Sequence, residues 1–238
     1  VKNIIDKLQK AHFEAFIVGG CVRDFLLERA LPTGRQAEDW DIATNAKPEE
    51  IQKVFPNSFY ENNFLTVTVK TGSKNLKLQE IEITTYRFEA KYSDKRHPDE
   101  IKFAKTIEED LARRDFTVNA LALSVVEGIA GKVIDPFFGQ KDLKNEIIKT
   151  VGNPEERFSE DALRMLRAVR FAVTLGFTIE ENTAEAIKKN SIWLKAISQE
   201  RIRDEFLKII MADGAANGVE QLRKLGLLKY IVPEIEEG

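Results

Sequence analysis

The stretch AFIVGGCVRDFLLERALPTGRQAEDWDIAT, residues 15–44, decides the fold. AFIVGG (15–20) has the β-branched and aromatic content of a short buried strand. Its two glycines let the backbone turn sharply and approach a ligand. The helix-like CVRDFLLER that follows offers free N–H groups to a phosphate. Arg23, one turn into that helix, adds a cation, although an ion pair with Asp24 would serve equally as plain surface chemistry. LPTGRQAE (31–38) reads as an exposed loop, and WDIAT (40–44) as the next strand. Residues two apart on a strand share a face, so Asp39 and Asp41 project together. Neighbouring carboxylates repel unless a cation lies between them. Hard oxygen ligands of this kind suit Mg²⁺, and paired ions clamp the attacking and leaving oxygens of a phosphoryl transfer.

Working outward, FLTVTVK (64–70), QEIEITTY (79–86) and KVIDPF (132–137) are further strands, and KPEEIQKVF (47–55) is a helix with Pro48 in its first turn. Glu82, set between Ile81 and Ile83, supplies a third acid on a neighbouring strand; Glu80 shares its face, so the choice between the two stays open. EAKYSDKRHPDE (89–100) is a charge-dense loop. This strand–helix alternation runs to about Asp142, and from Asn153 the strand pattern disappears. Asn153 with Pro154 and Glu156 makes a helix start, Asn182 with Glu185 repeats the signal, and Ser198 caps a helix over 199–211. Gly176 and Gly226 stand where helices end. The residues therefore predict an α/β head followed by an all-helical part, with domains at 1–142 and 143–238.

With 43% apolar and 32% charged residues, the 238-residue chain has the composition of a globular protein with a real core. No apolar run approaches the ~18 residues of a membrane-spanning helix, and VKNIIDKLQK at the start lacks a signal-peptide core. One cysteine, Cys21, excludes an internal disulfide framework, and two histidines, His12 and His97, argue against a His/Cys metal site. A cytoplasmic location and no membrane partner follow as expectations. The net charge of −3 argues against indiscriminate nucleic-acid binding without excluding a local basic face.

Two further clusters carry chemistry. Arg113 and Arg114 can hold a triphosphate or a primer phosphate, and Asp115 can accept from a ribose hydroxyl; a local charge cluster at an element end is the plainer alternative. In EDALRMLRAVRF (160–171), helical spacing puts Asp161 and Arg164 on adjacent turns of one face, with Arg167 and Arg170 continuing the basic side. A carboxylate beside a guanidinium complements one base edge. Cytosine and adenine present an amino donor next to a ring acceptor, whereas guanine and uracil present a carbonyl next to an N–H and would leave both side chains mispaired. An intrahelical ion pair, worth ~0.3–0.5 kcal/mol, is the competing reading. Trp40 reads as a packing residue on the face opposite the two aspartates, His97 as an exposed loop histidine without a role, and His12 and Cys21 as bystanders.

Taken in order, GGCVRD, DWDIAT, EIEITTYR, EEDLARRDFTVNAL, IDPFFGQKDL and RFSEDALRMLRAVRFA resemble the class II nucleotidyltransferase family, which contains the CCA-adding tRNA nucleotidyltransferases and the bacterial poly(A) polymerases. The resemblance implies an α+β head with a small mixed sheet, then an all-α neck and the start of a helical body. It implies that Asp39 and Asp41 hold the catalytic metals, expected as two Mg²⁺ ions, with Glu82 a third catalytic carboxylate. It implies that Gly19, Gly20, Arg23 and Asp24 contact the nucleoside triphosphate, and that Arg113, Arg114 and Asp115 serve its ribose and phosphates. Glu160, Asp161, Arg164, Arg167 and Arg170 would then read the incoming base without a template. The loop KYSDKRHPDEIKF keeps the pattern of CCA-adding members, and the GRRF-type segment of poly(A) polymerases is replaced by FPNSFYENNFLTVTV. The expected activity is addition of C and A to tRNA 3′ ends from CTP and ATP. The alternatives are an A-adding or poly(A)-forming relative and, from another class, a non-catalytic nucleotide- or RNA-binding module. LPTGRQAE lengthens the connection to the carboxylate strand, and Leu65 stands where many relatives carry glycine. Relatives continue past VPEIEEG through a helical body and tail that hold tRNA, so this chain is expected to bind CTP and ATP but to hold tRNA poorly.

Overall fold

The computed structural model describes residues 1–30, 40–61, 66–90, 100–126 and 129–236. Asp39, the 31–38 loop, Leu65 and the loop residues 91–99 with His97 lie outside them. The described chain divides into two compact units, one of Val1–Phe88, Ile101–Arg114 and Val118–Gly139, the other of Glu89–Glu100, Asp115–Thr117 and Gln140–Gly238.

The first unit runs α1 (Lys2–Lys10), β1 (Ala15–Val18), α2 (Gly20–Ala30), β2 (Asp41–Thr44), α3 (Pro48–Val54), β3 (Ser58–Glu61), β4 (Thr66–Lys70) and β5 (Glu80–Thr85). Next come β6 (Arg87–Ala90) and β7 (Glu100–Phe103), a separate two-stranded sheet, and then α4 (Ile107–Ala112), β8 (Ala122–Val126) and β9 (Ile129–Ile134). Seven strands form one mixed sheet in the order β3-β4-β5-β2-β1-β8-β9, with β2 and β5 parallel and the other neighbours antiparallel. β5 shows the period of two that a one-sided strand requires: Ile81 and Ile83 are buried, while Glu80 and Glu82 are exposed. α1 covers the sheet through the helical stripe Ile4, Ile5 and Leu8, all buried.

Local chemistry accounts for most of these boundaries. β1 stops at Val18 because Gly19 takes φ +80°, a conformation open to glycine at little cost, and the chain passes directly into α2. The strand expected over 132–137 instead spans Ile129–Ile134, since Asp135 turns its carboxylate back to the Gly139 amide at 2.7 Å and closes a turn.

The second unit contains α5 (Gly139–Lys144), β10 (Ile147–Ile148), α6 (Pro154–Glu160), α7 (Leu163–Leu175), β11 (Thr178–Ile179), α8 (Glu181–Asn190), α9 (Gln199–Ile210) and α10 (Ala215–Lys224). Asn153 caps α6 through bonds from the Glu155 and Glu156 amides, with Pro154 at the first helical position. Gly176 ends α7 in the left-handed region at φ 76°. Two expectations are corrected. The region after Asn153 does hold a strand, because β11 pairs in parallel with β10. The α8 cap is Glu180 rather than Asn182, its carboxylate accepting from the Thr183 amide and hydroxyl at 2.8 and 2.9 Å. Buried Phe116 and Phe171 meet edge-to-face at 5.8 Å inside this unit. Among the described residues no helix is long and apolar enough to cross a membrane.

Candidate functional site

The central strand of the sheet carries the first cluster. Asp41, the first residue of β2, pairs with Val18 on one side and with Glu82 of parallel β5 on the other. Cα partners on paired strands present their side chains to the same face, so the two carboxylates stand one strand spacing apart, about 4.8 Å. Glu80 pairs instead with Lys70, so register selects Glu82 as the partner of Asp41. The glycine turn lies beside this row: a Cβ built on Gly19 would meet Asp41 Oδ2 at 3.7 Å and Arg114 Nη1 at 2.8 Å. Backbone, carboxylate and guanidinium thus approach one another here as no bulkier residue at Gly19 would allow. Hard carboxylate oxygens in adjacent register, beside a cation that can take up phosphate charge, fit a divalent metal and a triphosphate.

Arg114 owes its position to Asp110 on α4. That carboxylate is fully buried and accepts from Arg113 Nε at 3.0 Å, Arg114 Nη2 at 3.3 Å and the Arg87 amide at 3.3 Å. Burial pushes its pKa up, but the Arg113 and Arg114 guanidiniums and these hydrogen bonds outweigh that and hold it below the usual carboxylate range. Its stabilisation is therefore complete above about pH 4, the unfolded value. It is lost as the pH falls through the lowered folded value. Asp110→Asn is expected to flatten the acid limb of the stability curve, read from urea midpoints at pH 7 and pH 3. Asp110 is not among the candidates read from the sequence, although its spacing three and four residues before Arg113 and Arg114, which follow α4 directly, was a usable signal.

Arg23 lies beneath the glycine turn, only 8% exposed, bonded to Asp24 at 2.8 and 3.0 Å and to Asn119 Oδ1 at 2.7 Å. The ion pair with Asp24 forms, but as part of a buried brace rather than on a solvated surface. Gly20, with φ in the ordinary range, opens α2 with the Arg23 guanidinium 3.6 Å from its virtual Cβ. Cys21 is inert: burial pushes its thiol up to about 11, and its Sγ bonds the Val18 carbonyl. A Gly19→Ala variant would strain a left-handed backbone by about 1–2 kcal/mol and displace Arg114. The expected result is a roughly tenfold weaker Kd for CTP and ATP with the sheet intact, measured by titration calorimetry and circular dichroism.

The second cluster lies in the helical unit, where the structure corrects the reading of residues 160–171. Asp161 and Arg164 do not share a helix face, because the helix breaks between α6 and α7 and Asp161 is the extended junction residue, at φ −145° and ψ 106°. Its Oδ1 accepts from the Leu163 amide at 3.0 Å, an Asx-type bond to the first residue of α7, whose N-cap is Ala162. Asp161 pairs with Arg201 of α9 at 2.8 Å, while Arg164 bonds the Glu160 carboxylate and the Arg157 carbonyl. The intrahelical Asp161–Arg164 pair is not among the ion pairs of the described residues.

Asp115, 8% exposed, accepts from Arg167 Nε and Nη2 at 2.9 and 2.6 Å. Burial disfavours the Arg167 charge, but Asp115, Glu205 and Asp161 more than offset it and raise its pKa. Arg170 lies over the Phe171 ring at 4.2 Å, with its Nε 3.1 Å from buried Glu205 of α9. Arg113 and Arg114 belong to the first unit and Asp115 to the second, so the three consecutive residues serve two packing environments. Arg201 and Glu205 were missed because nothing local in sequence links them to residues some 40 positions earlier.

Two family models match the chain: the Poly A polymerase head domain over residues 15–149 and the probable RNA and SrmB-binding site of polymerase A over 176–238. The chain is 46% identical over 233 residues to the CCA-adding enzyme of Ligilactobacillus salivarius, covering 95% of this chain and 53% of that one. The Bacillus stearothermophilus CCA-adding enzyme, solved in complex with CTP, is 40% identical with a TM-score of 0.81, covering 95% of this chain and 51% of that chain. A tRNA nucleotidyltransferase complexed with a primer tRNA and an incoming ATP analogue is 31% identical with a TM-score of 0.77, covering 96% of this chain and 62% of that chain. The chain spans about half the length of the curated relatives it matches. With its carboxylate row, glycine turn and paired arginines inside the matched 15–149 segment, the chain belongs to the Poly A polymerase head-domain family of nucleotidyltransferases.

Proposed function

We propose that this chain is the catalytic head (1–142) and helical neck (143–238) of a cytoplasmic CCA-adding tRNA nucleotidyltransferase, which extends tRNA 3′ ends with C and A from CTP and ATP. The observation that carries the reading is the register of Asp41 with Glu82 beside a left-handed Gly19 and the Arg114 guanidinium. It is supported by relatives at 40–46% identity that are CCA-adding enzymes, one of them solved with CTP. Family members generally depend on a divalent metal. Here Asp39 and Asp41 would hold Mg²⁺, expected as two ions, with Glu82 alongside. When bound, Mg²⁺ neutralises charge on the phosphates and makes the RNA 3′-hydroxyl a better nucleophile.

The chain's own groups do the rest. The Gly19–Gly20 turn lets backbone amides approach the triphosphate, and Arg114 lies where phosphate charge would gather. Arg113 and Arg114 share the Asp110 carboxylate, Arg114 through its Nη2, while its Nη1 lies against the glycine turn. The 3′-hydroxyl attacks the α-phosphorus, the bond to the β-phosphate oxygen breaks, and pyrophosphate leaves. By the family resemblance rather than by a shared helix face, Asp161 and Arg164 would read the base edge, the carboxylate accepting from the exocyclic amino group and the guanidinium donating to the ring nitrogen.

The test is Mg²⁺-dependent incorporation of labelled CMP and AMP into tRNA lacking its 3′ end. Ordered incorporation of C, C and A supports the reading. Incorporation of A alone would assign the A-adding or poly(A) chemistry. Nucleotide binding without incorporation, even when a relative's helical body and tail are joined to the chain, would make it a non-catalytic binding module.

A further inference from the structure

The neck junction contains an ion pair that the function above does not use. Arg201 projects from α9, and its fork engages both oxygens of Asp161, Nη2 to Oδ2 at 2.8 Å and Nη1 to Oδ1 at 3.4 Å. The Leu163 amide meets Oδ1 from the other side at 3.0 Å. The carboxylate is thus held at two points. The amide bond fixes one oxygen over the start of α7, and the guanidinium plane fixes the rotation of the group about its own axis. Each carboxylate oxygen has two lone pairs; Oδ1 accepts twice and Oδ2 once, so one lone pair on Oδ2 remains to accept from a ligand, in a direction the clamp sets. Both side chains are part-buried, 27% exposed for Arg201 and 17% for Asp161, which favours a defined geometry over a solvated pair. Arg164 is anchored separately, by Glu160 and the Arg157 carbonyl.

We propose that Arg201 is a positioning residue for base selection: it locks the Asp161 carboxylate as an acceptor that cannot turn away from the wrong base. The inference rests on the proposed reading that Asp161 meets the base edge. An acceptor attracts an amino group whether it is rigid or mobile. Its rejection of a carbonyl, by contrast, depends on rigidity, since a carboxylate free to rotate relieves the repulsion between two oxygens at small cost. Arg201 therefore contributes more to excluding uracil and guanine than to binding cytosine and adenine.

The experiment measures Kd for CTP, UTP, ATP and GTP with the 238-residue chain, and single-turnover incorporation into tRNA lacking its 3′ end. It compares wild type, Arg201→Ala, Arg201→Lys, Asp161→Ala and the double alanine variant. Arg201→Ala is expected to narrow the CTP-over-UTP and ATP-over-GTP ratios by about tenfold, mainly through better use of the wrong base. Arg201→Lys keeps the charge but loses the fork, so it should fall between the two. The double variant should relax selectivity no further than Asp161→Ala alone, because the two residues act through one contact. If Arg201→Ala weakens all four nucleotides alike and leaves the ratios unchanged while Asp161→Ala relaxes them, Arg201 is only a structural clamp and this inference falls alone. If Asp161→Ala itself keeps the full preference, the base is read elsewhere and the underlying reading of the site fails with it.

Discussion

Asp41→Ala should reduce nucleotide incorporation by roughly 10³-fold or more while the chain stays folded. Asp41 opens the central strand β2 and stands in register with Glu82, so its removal takes an oxygen ligand from the position where transferring phosphate and metal would meet. Its side chain is not part of the apolar core. Asp41 lies at the strand end rather than in the core formed by Ile42, Ile81 and Ile83, and losing one of two neighbouring carboxylates relieves their repulsion. Urea midpoints should therefore be unchanged or slightly raised. Asp39→Ala is expected to behave in the same way, and Glu82→Ala to lose less. The measurement is Mg²⁺-dependent incorporation at saturating nucleotide, with circular dichroism as the control. Substantial Mg²⁺-dependent turnover by Asp41→Ala would remove it from the metal site.

The second large effect is on base choice. Asp161→Ala should lower use of CTP and ATP more than use of UTP and GTP, because it removes both the acceptor that an amino group needs and the charge that repels a carbonyl. Two mispaired buried contacts at ~1–3 kcal/mol each would amount to a large discrimination in wild type. The structure adds a complication and a remedy. Asp161 also accepts from the Leu163 amide at the start of α7, so the alanine variant should lose about 1 kcal/mol of stability as well. Asp161→Asn keeps an oxygen for the Leu163 amide and places an amide donor at the proposed base contact, so it should shift preference toward UTP and GTP, with some loss of stability because the NH2 group faces the Arg201 guanidinium. Arg167→Ala should instead weaken all four nucleotides alike, because its guanidinium is bonded to buried Asp115. The readout is relative kcat/KM for the four triphosphates on a tRNA primer. An Asp161→Ala enzyme with its full C and A preference would place base reading elsewhere.

How much of this was legible without coordinates differs between the two clusters. Local rules, which need only neighbours in sequence, were readable. The Gly19–Gly20 turn after an apolar strand, the Asn153–Pro154 helix start, the left-handed end at Gly176 and the alternation around Glu82 all follow from backbone preference and period. What pairing decides was not readable. Glu80 and Glu82 share a face, and only the parallel register of β5 against β2 opposes Glu82 to Asp41 and sends Glu80 to Lys70. Helical spacing suggested that Asp161 and Arg164 were partners. Asp161 left the helix because a carboxylate that accepts from the Leu163 amide and meets Arg201 gains more than one spent on an exposed i,i+3 pair. The sequence by itself determined which residue types, turns and helix ends this protein has, because those follow from energies between near neighbours. Only the tertiary structure decided which cation Asp115, Asp161 and Glu205 face, because each satisfies its charge with whatever guanidinium the packing brings within 3 Å or so, and that packing is set by the apolar core rather than by the charges themselves.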